Sequence, residues 1–90
     1  MTFEWDAGKA ARNLAKHGVS FPEAALVFAD PQRLTVTDTR QTSEHRENTT
    51  GLIAGLVVVT VTHTNRFGVT RIISARSASR QERKRYYAQI

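Results

Sequence analysis

The sequence predicts an α+β domain: an N-terminal helical hairpin, an antiparallel four-stranded curved sheet running as a meander, and a basic C-terminal helix. Three observations carry this reading. Apolar residues recur at helical spacing up to Pro31, then alternate with polar ones from Leu34 onward. The alternating segments are separated by short turn signals, which favours antiparallel neighbours. Ser79-Arg80-Gln81-Glu82 then spells a helix start near the end of the chain.

Each element has a local reason. Phe3-Glu4-Trp5 reads as a short extended piece with both aromatics on one side. Asp6 is a good N-cap for a helix from about Ala7, with Ala10, Leu14 and His17 on one face. Gly18 suits the position just past that helix, where a positive φ is usually needed. Ser20 and Glu23 form a capping box around Pro22, and a second helix carries Ala24, Ala25, Val27 and Phe28 until Asp30-Pro31 stops it. Leu34 and Val36 alternate with Thr35 and Thr37 as a half-buried strand. Asp38 to Glu47 contains no apolar residue and reads as a mobile loop. Asn48 to Ile53 is the second strand, turned by Ala54-Gly55 into Leu56 to Thr64, the most β-branched segment and therefore central. Asn65-Arg66-Phe67-Gly68 is the next turn, and Val69 to Arg76 is the fourth strand. The last helix places Tyr86 and Ile90 on its packing side.

Composition narrows the function classes. Ninety residues suffice for one small domain, and 40% hydrophobic with 23% charged residues is an ordinary globular balance. The absence of cysteine excludes a disulfide framework, thiolate metal sites and a cysteine nucleophile. Met1 to Trp5 lacks the pattern of a signal peptide, and Leu52 to Val61 is too short to span a bilayer. A soluble, cytoplasmic domain without membrane association is expected. The net charge is +5, but its placement says more. Residues 66–90 carry +6, nearly all from arginine, and residues 1–65 carry −1. Arginine grips phosphate bidentately, so a polyanion such as RNA fits this segment, and a solvated basic helix face fits it as well.

RNA cleavage without a metal needs a base for the 2′-OH proton, cations for the charge on phosphorus, and an acid for the 5′-oxygen. His63, near the end of the central strand, suits proton transfer. Arg66 in the following turn and Arg76 at the end of the last strand suit the phosphorane. Antiparallel pairing brings Arg71 beside His63, while Arg80, Arg83 and Lys84 on the basic helix suit flanking phosphates. Structural readings stand beside these. His17 is a favourable cation at a helix C-terminus, and His63 a cross-strand partner. Arg76 pairs equally well with Asp6 or Glu4, and Tyr86 packs on the sheet. No glycine-rich phosphate loop, serine elbow or histidine–carboxylate metal spacing is present, so neither a metal nor a cofactor is expected.

Phe3-Glu4-Trp5-Asp6, Lys9, Asn13, Lys16-His17-Gly18-Val19, Phe21 and Glu23-Ala24 form one group of motif residues. Thr64, Arg66, Arg71-Ile72-Ile73-Ser74-Ala75-Arg76, Glu82-Arg83 and Arg85-Tyr86 form another. In this order the two groups resemble the BrnT family across nearly the whole chain. The resemblance implies a ribonuclease toxin of a type II toxin–antitoxin module with a RelE-like fold. It also implies a BrnA-like DNA-binding antitoxin, with a heterotetramer formed through antitoxin dimerisation. It carries catalytic roles to Arg66, Arg76, His17 and Tyr86, and RNA binding to Lys16 and Arg46. His63 rests on the chemical argument alone. The Ala54-Gly55 turn is shorter than the family's usual connection, and the loop around Arg46 is variable. A non-catalytic nucleic-acid-binding module or a protein-interaction module uses the same basic face, and RNA cleavage in EDTA separates these from a nuclease.

Overall fold

Local chemistry sets the element boundaries in the computed structural model, which describes residues 1–39, 45–55 and 57–90. β1 spans Thr2–Glu4. Asp6 accepts the Lys9 N–H at 2.8 Å and starts α1 (Ala7–His17), which Gly18 ends at φ 72°. The Ser20–Glu23 capping box opens α2 (Phe21–Ala25), and a 3-10 turn (Leu26–Ala29) continues it to Asp30. The sheet continues with β2 (Leu34–Thr37), β3 (Glu47–Ile53), β4 (Val57–Arg66) and β5 (Val69–Ser77). Phe67-Gly68, which joins Arg66 to Val69, has positive φ at both residues, as a two-residue hairpin requires, and Ala54 and Gly55 after β3 have positive φ as well. A second capping box, Ser79–Glu82, opens α3 (Arg80–Ala88).

The sheet corrects the expected four-stranded antiparallel meander. Among the described residues it has five strands in the order β1-β5-β4-β3-β2, and β1 runs parallel to β5. Three residues are too few to announce a strand by alternation, yet they cover the first part of an edge that β5 would otherwise expose. Further along, Asn13 takes over. Its side chain donates to Ala75 C=O at 2.8 Å and accepts Ala75 N–H at 3.1 Å, so an amide stands in for a neighbouring strand. The buried face of α1 therefore runs through Asn13, whereas Leu14, expected inside, is 49% exposed.

Both N-terminal helices cover one face of the sheet, where Phe21, Ala24, Val27, Ile53, Val59, Val61, Ile72 and Ala75 form the main core with Phe3 and Trp5 against it. Val27 presses onto β3 at Gly51, where a Cβ would lie 2.5 Å from Val27 Cγ2. α3 lies on the opposite face, with Tyr86 packed on Val58, Ala78 and Leu52. Ile90 follows the end of α3 and is exposed, contrary to its expected packing role. β2 is an edge strand in which only Leu34 is half-buried, so the expected half-burial does not extend to Val36. The expected loop between Asp38 and Glu47 falls largely on residues 40–44, outside the described residues.

Candidate nucleic-acid interface

A single extra residue in β5 organises the face opposite the N-terminal helices. Thr62 opposes Ser74, and the next residue of β4, His63, opposes Ile72, so Ile73 has no partner and forms a bulge. Strict alternation would send Arg71 and Arg76 to opposite faces. With the bulge, Arg71 (opposite Thr64), Ser74 (opposite Thr62) and Arg76 (opposite Thr60) share one face. Arg66 continues the row beyond Thr64 by alternation. At a strand rise of about 3.3 Å, Arg66 lies ~7 Å from Arg71, and Arg71 ~13 Å from Arg76. Arg66 and Arg76 are thus ~20 Å apart along the sheet, measured along the backbone.

Hydroxyl and amide side chains floor this row. Thr62 Oγ1 donates to Asn48 Oδ1 at 2.6 Å, and the hydroxyls of Thr50 and Thr60 bond at 2.8 Å. Thr60 in turn donates to Glu82 Oε1 at 3.0 Å. Arg76 meets Glu82 fork to fork, at 2.7 and 3.0 Å. Those bonds foremost hold the Glu82 pKa at about 2, with burial opposing and bonds from Ser79 and Thr60 assisting. Arg71 is held by Glu4 at 2.6 Å. Arg76 is therefore an ion-pair partner, but of Glu82 rather than the expected Asp6 or Glu4. Five N–H donors per guanidinium mean that such a clamp orients arginine without exhausting it.

The other expected site residues scatter. Tyr86 is buried, and its hydroxyl donates to Asp30 Oδ2 at 2.5 Å. Burial and then Asp30 push its pKa up to about 12. Burial raises Asp30 itself, but bonds from Leu52 N–H, Tyr86 OH and Gln32 N–H outweigh it and leave the carboxyl below its ordinary range. Lys16 and His17 close α1 on the side that the N-terminal helices cover, and both are exposed. Arg80, Arg83 and Lys84 are exposed on α3, with Arg83 donating to Ala78 C=O at 2.8 Å. Arg46 is half-buried, and its Nε has no hydrogen-bond partner among the described residues.

His63 faces the helical side, away from Arg71 despite their adjacent positions. It is 7% exposed, bonds Thr49 Oγ1 through Nε2 at 2.7 Å, and meets Phe28 edge-on with centroids 4.8 Å apart. Burial holds its pKa below the usual value, and nearby Glu47 offsets part of that effect. Among the described residues, no three His, Cys, Asp or Glu side chains are placed to hold a metal ion. No helix among them is long and apolar enough to cross a membrane.

The family model described as "Ribonuclease toxin, BrnT, of type II toxin-antitoxin system" matches residues 5–82. The chain belongs to the BrnT family. Its fold resembles the crystal structure, at 1.1 Å resolution, of the Brucella abortus ribonuclease toxin BrnT, with a TM-score of 0.67. The two chains are 25% identical, and the likeness covers 89% of this chain and 99% of that one. No curated protein matches the sequence significantly.

The BrnT match spans Arg66, Arg71 and Arg76 and stops at Glu82, so it contains the whole arginine row with its clamp. Beyond it lies Arg85, which stands among the BrnT-like motif residues of the sequence but was not singled out there as an RNA contact. Arg85 lines a small cleft between α3 and the sheet with Leu34, Val36, Asn48, Thr50 and Glu82. Helical phase supplied the signal, since Glu82, Arg85 and Tyr86 fall on one side of α3.

Proposed function

We propose that this BrnT family member is a metal-independent endoribonuclease toxin that lays single-stranded RNA along the Arg66–Arg71–Arg76 row. The observation that supports the reading best is the Ile73 bulge, which spends a ladder position to aim Arg71 and Arg76 the same way. Bulges are over-represented beside active sites because they re-aim side chains in this manner. RNA supplies its own nucleophile, the 2′-OH, so the protein's main task is to stabilise charge developing on phosphorus. Arg76, fixed by Glu82, is the preorganised cation for that task, and Arg66, Arg71 and Arg85 hold neighbouring phosphates. Arg80, Arg83 and Lys84 add non-specific attraction.

The proposed partner is a BrnA-like DNA-binding antitoxin that covers this row and dimerises to give a heterotetramer. Purified protein should shorten RNA in EDTA, and Arg76→Lys should slow cleavage about 100-fold because it keeps the charge but loses the fork. RNA that shifts on a gel with its length unchanged would make the chain a binding module instead. Expression of the chain alone should arrest bacterial growth, and its antitoxin should restore it. Normal growth with soluble, folded protein accumulating would refute the toxin reading.

A further inference from the structure

A cleft opens on the helical side of the sheet, directly behind the turn that ends the arginine row. Its volume is about 190 Å³, and its walls include Phe28, Arg33, Thr35, Glu47, His63 and Asn65. Water occupies about 30 Å³ per molecule in the liquid, so the space holds roughly six waters or one nucleobase. We propose that this cleft binds a guanine base, with Glu47 accepting hydrogen bonds from the two adjacent N–H donors of its Watson–Crick edge. The inference rests on the ribonuclease reading for its substrate, a single-stranded RNA whose bases can be splayed outward.

The lining dictates the base. Glu47 and His63 oppose one another across β3 and β4, so both side chains enter the cleft from the same face. The Glu47 side chain is 38% exposed, and among the described residues its one ion-pair contact is His45, at 4.0 Å. A carboxylate accepts and cannot donate. Guanine alone presents two neighbouring donors, N1–H and the 2-amino group. Adenine and cytosine set a ring-nitrogen lone pair beside their amino group, and uracil sets carbonyls on both sides of its single N–H, so each meets the carboxylate with repulsion. Arg33 supplies the complementary contact, because a guanidinium pairs well with guanine O6 and N7.

The remaining walls suit a flat ring. Phe28 and His63 give an aromatic corner, and the chain of hydroxyls from Thr35 through Thr49 to His63 Nε2 fixes the imidazole. That leaves Nδ1 as the ring nitrogen open to further bonding. Asn65 uses its Oδ1 to accept Gly68 N–H at 3.1 Å, which leaves its amide N–H₂ to donate. The next residues connect cleft and row: Asn65 lines the cleft, Arg66 stands on the other face, and Phe67 projects fully exposed at the turn. A strand leaving the row over this turn can stack one base on Phe67 and drop another behind it.

The test is a titration followed by amide chemical shifts, using GMP, AMP, CMP, UMP and IMP on the intact chain. GMP should shift residues around Glu47, His63 and Asn65 and bind about tenfold or more tightly than AMP, CMP or UMP. IMP, which lacks the 2-amino donor, should fall between. Glu47→Gln should abolish the preference, and Arg33→Ala serves the same purpose if the first variant does not fold. Oligonucleotides with and without one G distinguish RNA from a free guanine nucleotide as the ligand. Equal shifts for all four common bases, GMP shifts confined to the arginine row, or a preference that survives both variants would overturn the proposal. GMP seated in the cleft of a protein that leaves RNA intact would overturn the nuclease reading alone. RNA cut without regard to G would overturn the cleft and leave the nuclease standing.

Discussion

The Arg76–Glu82 pair fastens α3 to the sheet, and its strength can be worked out. The Glu82 carboxyl receives both prongs of Arg76, the Thr60 hydroxyl and the Ser79 N–H. Together they set its pKa at about 2 against an ordinary 4.5. That gap corresponds to roughly 3 kcal/mol. Solvent reaches 40% of the Arg76 side chain and 22% of Glu82, and screening reduces the contribution of the ion pair to about 1–2 kcal/mol. The folded-state pKa lies below the unfolded one. The stabilisation is therefore complete above about pH 5 and is lost as pH falls from 4.5 towards 2. A double-mutant cycle of Arg76→Gln and Glu82→Gln, read by urea unfolding, isolates the pair from other carboxylates. The coupling should be about 1–2 kcal/mol near neutrality and less than half of that by about pH 3. A coupling under ~0.3 kcal/mol at neutrality, or one unchanged in acid, would refute the reasoning.

Three further outcomes follow from packing. Gly51→Ala drives a methyl against Val27 and should cost about 1–3 kcal/mol, seen as a lower melting temperature; an unchanged one would mean the 3-10 turn shifts freely. Asn13→Ala strips Ala75 and Val19 of their buried partners and should cost about 2–4 kcal/mol in urea unfolding, with faster amide exchange at Ala75. Tyr86→Phe should lose about 1–2 kcal/mol and let the Asp30 carboxyl titrate at higher pH, measurable by carbon NMR. RNA cleavage by the Tyr86→Phe variant should stay near wild type under conditions where it is folded, because the hydroxyl is occupied inside the protein.

Local signals were legible because they are short-range. Asp6, Gly18, Ser20 and Ser79 cap helices through residues three or four positions away, and the structure places each where capping chemistry puts it. Alternation likewise located β2 to β5 to within a residue or two. What stayed hidden depends on distant partners. β1 is a strand only because β5 lies beside it, and Asn13 is buried only because β1 ends before Ala75. The bulge at Ile73 leaves no mark on the sequence, so alternation alone could not align Arg71 with Arg76. Proximity along paired strands suggested a His63–Arg71 pair, but the two side chains leave opposite faces of the sheet. Arg76 is the mixed case, since its reading as an ion-pair partner was legible and the partner itself, Glu82, was not.

Glu4 and Arg71 are hydrogen-bonded across 67 positions of chain, and this has a consequence for the order of assembly. The β3–β4 and β4–β5 hairpins close over short loops and can form early. β1 cannot dock until β5 exists, although it is synthesised first. At elongation rates of about 5–20 residues per second, Thr2–Glu4 wait on the order of several seconds for their neighbour. The outer edge of β5, and with it the clamp on Arg71, is thus fixed only after β5 itself has been made. The order in which the arginine row takes shape is therefore set by topology: Arg71 is clamped last, after the β4–β5 hairpin has already aligned it with Arg76.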